Sequence, residues 1–128
     1  MGYTITQVSK LTHLTAHALR YYEKEGLLSP VARNESGTRQ YSDHDLEWLG
    51  LICCLKNTGM SLKQIKAFVS LSAQGDQTLK QRCDMLVSHK KCVEMQIEEM
   101  QQHLEKVSQK IIYFAKQYER NQEENALV

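Results

Sequence analysis

The sequence predicts a mainly α-helical chain, a winged helix-turn-helix unit followed by a long dimerisation helix. Three observations carry that reading. Ser and Thr helix caps recur at the heads of short amphipathic segments in the first half. The one proline and a Gly-containing polar loop interrupt those segments between Leu27 and Tyr41. From Leu79 onward a seven-residue apolar repeat replaces the short segments. The expected divisions are residues 1–72 for the winged helix-turn-helix, 73–120 for the dimerisation helix and 121–128 for a polar tail that frays.

The caps set the helices. Thr4 with Gln7, Ser42 with Asp45 and Ser61 with Gln64 each pair a hydroxyl that accepts from a free backbone N–H with a side chain that reaches back. The first opens a helix expected to bury Ile5, Val8 and Leu11. After the turn at Thr12 and His13, Thr15 caps a second helix, Ala16 to Glu25, which buries Leu19 and Tyr22 and stops at Gly26. Pro30 and the loop Asn34-Glu35-Ser36-Gly37-Thr38 then read as a β-hairpin between two short extended pieces. The third helix, Asp43 to about Asn57, is apolar around much of its girth through Leu46, Trp48, Leu49, Leu51, Ile52 and Leu55, the mark of a core helix. Gly59 breaks it. A fourth helix runs from Leu62 to about Leu71 with Ile65, Phe68 and Val69 on one side, and a loop follows over Ser72 to Gln77.

The repeat places Leu79, Leu86, Val93, Met100, Val107 and Phe114 seven residues apart. A second register, Cys83, Ile97, Leu104, Ile111 and Tyr118, is interrupted by Lys90. Together they form a seam over about five heptads. At ~1.5 Å per residue the stretch from 79 to 118 is a rod of about 60 Å, too long to fold back on the preceding unit. Such a stripe needs a partner, and the economical one is a second copy of the chain.

Composition narrows the class. Sixteen Lys and Arg against fifteen Asp and Glu give a net charge of +1, so total charge carries no nucleic-acid signal and the placement of the basic groups decides. No apolar run approaches the ~18 to 20 residues of a membrane span, and Met1 to Lys10 lacks the pattern of an export leader. A cytoplasmic protein without membrane partners is expected, with Cys53, Cys54, Cys83 and Cys92 as free thiols. Neither a C-x-x-C pair nor a cofactor loop is present, which argues against an enzyme and against any cofactor.

On the second helix Thr15, His17, Arg20 and Tyr21 lie off the face defined by Leu19 and Tyr22, and these side-chain types suit phosphate and base-edge contacts. The same residues also make a plain solvated face with Arg20 paired to Glu23. The hairpin adds Arg33, Asn34 and Arg39 around Gly37, and Lys63 stands beside the free N–H groups at the head of the fourth helix, where anions bind. Double-stranded DNA is the partner these groups suit together.

The string Ala18-Leu19-Arg20-Tyr21-Tyr22-Glu23-Lys24-Glu25-Gly26-Leu27-Leu28, with Arg33, Gly37-Thr38-Arg39-Gln40-Tyr41 and Asp45-Leu46, closely resembles the MerR family of bacterial transcription regulators over residues 3 to about 70. The resemblance implies two wings, an antiparallel coiled-coil homodimer, and a promoter whose polymerase elements lie too far apart until the DNA is bent and untwisted for RNA polymerase. It assigns Thr15, His17, Arg20 and Tyr21 to the recognition helix, Arg33, Asn34, Arg39 and Tyr41 to the first wing, and Lys63 to the second. The family's metal sensors carry further soft ligands after the rod, but no Cys or His follows Phe114 here, so no metal is expected. Cys83 reads as a small seam residue. A large ligand domain like that of the multidrug branch is likewise not expected. The segment Cys54 to Leu62 is similar to the short AdhR/NmlR-type branch, which implies a stress response to aldehydes and other electrophiles through Cys54, with Lys56 favouring its thiolate. Two alternatives stay open: a MerR-like regulator without a cysteine-based response, in which Cys53 and Cys54 only pack, and an architectural DNA-binding coiled-coil protein.

Overall fold

The computed structural model describes residues 2–127. The chain divides into two compact units, one reaching to Val87 and one beginning at Ser88. The first contains α1 (Ile5–Thr12), α2 (Ala16–Lys24), β1 (Ala32–Arg33), β2 (Arg39–Gln40), α3 (Asp43–Asn57), α4 (Leu62–Ala73), a 3-10 turn (Asp76–Thr78) and the start of α5 (Leu79–Ala126).

All three capping boxes form, at Thr4, Ser42 and Ser61, and the Thr15 hydroxyl accepts from the Ala18 N–H at 3.0 Å. Val8 on α1 is buried, but Leu11 is 61% exposed, contrary to expectation. The chain leaves α1 through a left-handed residue, His13 (φ 61°), and this turn brings Leu14 against the core. Gly26, at φ 76°, ends the segment after α2 and lets Leu27 and Leu28 turn inward, both 2% exposed. The two strands pair antiparallel, Ala32 opposite Gln40 and Arg33 opposite Arg39. Just past them, Tyr41 and Tyr3 exchange backbone hydrogen bonds of 2.7 and 2.8 Å, fastening the wing's root to the start of the chain.

The core joins Val8, Leu19, Tyr22, Leu27, Leu28, Leu49, Ile52, Leu55, Ile65 and Phe68. Each such side chain contributes roughly 1.5 to 3 kcal/mol by leaving water. Trp48 stacks on Phe68 at 6.1 Å and donates its indole N–H to the Leu27 carbonyl at 2.8 Å, which ties α3 to α4 and to the segment after α2.

The expected loop over 72–77 is shorter than predicted, because α4 continues to Ala73 and the 3-10 turn follows. Thr78, 2% exposed, shares its hydroxyl hydrogen between the carbonyls of Leu71 (2.6 Å) and Gly75 (2.8 Å) and accepts from Arg82 Nε at 3.1 Å. Arg82 Nη2 also donates to the Gly75 carbonyl at 3.2 Å. This joint, with Met85 and Leu86 packed on the core, carries the first unit past residue 72 to Val87. Leu86 is therefore half-buried against its own unit.

The second unit is the rest of α5, in which no side chain is fully buried. The helix continues through the segment expected to fray, ending at Ala126, because its Glu, Gln and Ala residues are good helix formers. Among the described residues no helix is long and apolar enough to cross a membrane, and no group of His, Cys, Asp or Glu is placed to hold a metal ion.

Candidate nucleic-acid interface

The exposed strip of α2 follows from its helical spacing. His17, Arg20 and Tyr21 are exposed, with Tyr21 at 40%, while Leu19 and Tyr22 hold the opposite side in the core. Thr15 is exposed at the head of the strip; its oxygen serves as the cap, and its hydroxyl hydrogen has no acceptor among the described residues. Arg20 has no ion-pair partner among the described residues, so the alternative pairing with Glu23 is not the one adopted. Lys24, also exposed, continues the strip and was missed, although it stands seven residues from His17 and the spacing alone locates it.

The wing tip is organised by Asn34. Its Oδ1 accepts from the backbone N–H groups of Ser36 (3.1 Å) and Thr38 (3.0 Å) and from the Ser36 hydroxyl (2.9 Å). Gly37, at φ 81°, closes the turn, and Arg33 Nη1 donates to its carbonyl at 2.7 Å. Arg33 and Asn34 are both exposed but partly committed to the shape of the loop.

The two remaining wing residues differ from expectation. Arg39 is turned toward α2, its Nε donating to Glu23 Oε1 at 2.8 Å. Tyr41 is fully buried at 0% exposure and does not offer its ring or hydroxyl to a ligand. Its place directly after β2 puts its side chain on the inward face of the hairpin, in the core. Burial raises the pKa of its phenol, and its hydroxyl has no hydrogen-bond partner among the described residues.

Lys63 is exposed in the first turn of α4, next to the Ser61 cap. A phosphate here would meet the positive end of the helix together with the ammonium group. Lys66, one turn on, is engaged with Glu25 at 3.4 Å.

Of the paired cysteines on α3, Cys54 is exposed and Cys53 half-buried. Burial pushes the Cys53 thiol up, and the charge of Lys56 opposes the rise. Lys56, expected to assist Cys54, is held elsewhere: its ammonium donates to the Tyr22 hydroxyl at 3.1 Å and sits 5.7 Å from that ring's centre. Cys83 and Cys92 are exposed on α5.

Residues 3–71 match the profile described as MerR HTH family regulatory protein, and residues 46–111 match that described as MerR, DNA binding. An uncharacterised HTH-type transcriptional regulator of Haemophilus influenzae is 41% identical over 91% of the chain and 86% of its own length. The HTH-type transcriptional regulator AdhR of Bacillus subtilis is 40% identical over 67% of the chain and 61% of its own length. Among solved structures, HiNmlR, a MerR family regulator lacking the sensor domain and bound to promoter DNA, superposes with a TM-score of 0.83 at 41% identity, covering 91% of this chain and 92% of that one. A MerR family regulator from Bacillus thuringiensis superposes with a TM-score of 0.78 at 41% identity, covering 87% and 97%.

Proposed function

Because the chain belongs to the MerR family of helix-turn-helix, DNA-binding transcription regulators, we propose that it acts in the cytoplasm as a homodimer that bends and untwists a promoter with an overlong spacer for RNA polymerase. The observation that carries this reading is the strip His17, Arg20, Tyr21 and Lys24, exposed on a helix whose other side is locked in the core. A rigid helix presenting Arg and Tyr suits the major groove, where one bidentate Arg contact gives ~1 to 3 kcal/mol of base discrimination. Thr15 heads that strip, Arg33 and Asn34 meet the flanking backbone, and Lys63 holds a further phosphate.

Pairing of two copies along α5 supplies the twofold symmetry. The seam is formed by Leu79, Cys83, Val93, Ile97, Met100, Leu104, Val107, Ile111 and Phe114, with Leu86 shared with the core of its own unit. Holding two heads on one duplex supplies the roughly 1 to 6 kcal/mol that bending requires. A spacer series tests the mechanism. Transcription from the native promoter should depend on the protein, and shortening the spacer to ordinary length should abolish that dependence. Equal activation at both lengths would contradict a deformation mechanism.

The exposure of Cys54, against the half-burial of Cys53, favours a further reading in which Cys54 responds to aldehydes or other electrophiles. A thiol adds across an aldehyde carbonyl with sulfur to carbon and the proton to oxygen, so no oxidant is needed. Cys54→Ser should remove the aldehyde response of a reporter while leaving promoter binding intact. An unchanged response rules this out and leaves a regulator without cysteine chemistry.

A further inference from the structure

Glu23 lies on the same helix as the strip proposed to meet DNA, where an unpaired carboxylate would repel phosphates. It is not unpaired. Oε1 takes the Arg39 Nε–H at 2.8 Å and Oε2 takes the Val31 backbone N–H at 3.0 Å, so both oxygens are used and both bind the wing. The carboxylate side chain is 16% exposed and the guanidinium side chain 24%. Burial favours the neutral acid, but the hydrogen bonds from Arg39 and Val31 outweigh it and hold the Glu23 pKa below its ordinary value.

The wing needs such a tie. Its strands are two residues each, and an isolated two-stranded hairpin is marginal in water. The Asn34 turn fixes the shape of the tip, and the Tyr3 to Tyr41 bridge fixes the root. Between tip and root, Glu23 grips one residue on each side of the hairpin: Val31, just before β1, and Arg39 on β2. Tyr41 beside them makes no hydrogen bond through its hydroxyl among the described residues.

We infer that Glu23 is a positioning residue that sets the wing at a fixed angle to the recognition helix, and that Arg39 is its brace and not a phosphate contact. This rests on the DNA-binding reading above and deepens it. Substitutions that each remove the one Glu23–Arg39 contact should show the same loss singly and together.

The test uses the full chain and a duplex spanning the inverted repeat nearest its own coding region. Titrations compare the unaltered protein with Glu23→Gln, Arg39→Gln and the double variant over a range of salt. Gln at 23 keeps an oxygen for the Val31 N–H, so folding should persist, and circular dichroism checks it. Each single variant should bind about tenfold more weakly, the double variant no worse than either, and the salt slope should stay unchanged. Phosphate ethylation interference should fade at the positions touched by the wing and persist at those touched by α2. Amide exchange of Asn34 and Gly37 should quicken in all three variants.

A salt slope reduced by about 0.9 in Arg39→Gln, the signature of one lost phosphate contact, with additive losses in the double variant, would overturn the brace. So would tighter binding by Glu23→Gln, which would make the carboxylate a simple repulsive group. Unaltered protein that shows no preference for the repeat defeats the DNA-binding reading itself, and the brace with it. Unaltered protein that binds well, alongside variants that bind equally well, defeats the brace alone.

Discussion

Up to Val87 the helices bury one apolar face each, with Val8 and Leu19 0% exposed, Leu49 and Ile52 1% and Ile65 2%, although Leu11 and Leu62 stay at the surface. Beyond Ser88 the same residue types behave in the opposite way, with Ile97 53% exposed, Leu104 64%, Ile111 and Phe114 63%, and Met100 68%. The difference is one of closure. Helices α1 to α4 are short and joined by tight turns, so each finds a neighbour for its apolar stripe within the same chain. The stripe on α5 repeats in step along a single helix, and a helix cannot bury its own face. The first unit thus holds a core of its own, and beyond Ser88 the apolar stripe of α5 stays exposed.

The largest expected effect comes from breaking the exposed stripe of α5. Leu104→Asp puts a charge in the middle of the proposed seam and should turn the proposed dimer into a monomer by sedimentation equilibrium. Promoter affinity should then fall by about 10² to 10⁴, the advantage that linking two binding sites confers. The fluorescence of Trp48 should not change, because its surroundings belong to the first unit. A monomeric variant that kept full affinity would show that the rod does not pair the heads. The opposite break, Leu49→Ala, should cost about 2 to 5 kcal/mol in denaturant titrations of the first unit, while sedimentation still reports association through α5.

What could be read from the chain follows the same division between local and distant. The boxes at Thr4, Ser42 and Ser61 span four residues each, so a local pattern specifies them and all three form. The long helix α5 is periodic in its apolar residues, and period alone marks its stripe. The exposed strip of α2 is likewise local, and counting from His17 would have added Lys24. Leu11 was misplaced: the residue that packs on the core is Leu14, brought there by the left-handed turn at His13. Arg39 and Tyr41 look alike as wing candidates in sequence. Their fates separate through contacts far along the chain, Arg39 to Glu23 and Tyr41 to Tyr3. The Thr78 joint was invisible for the same reason, since a Thr in a polar stretch signals a loop until Leu71 and Arg82 close around it.

Within the first unit, two substitutions sharpen the reading of its surface. Arg20→Ala should weaken promoter binding by ~1 to 3 kcal/mol and relax the preference at one base position, as loss of a base-edge contact does. Lys63→Ala should weaken binding to all duplexes alike and lower the salt slope by about 0.9. Selection from a randomised half-site, paired with salt titrations, separates the two outcomes. If Arg20→Ala lowers affinity without touching preference, α2 grips the backbone and sequence is read elsewhere.

The smallest effect tests the proposed pairing of α5 from inside. Lys90 occupies a seam position between Cys83 and Ile97, where the repeat calls for an apolar residue. A charged group there lowers the stability of pairing, yet it also rejects registers that would bury it, since its ammonium must reach water along its own stem. Lys90→Leu should therefore strengthen association by about 1 kcal/mol, near fivefold, and at the same time admit species larger than the dimer. Sedimentation velocity over a dilution series reads both quantities. Tighter dimers without larger species would mean that register is set by the neighbouring seam residues. No change in either would mean that Lys90 faces solvent, and that the second register of the seam begins only at Ile97.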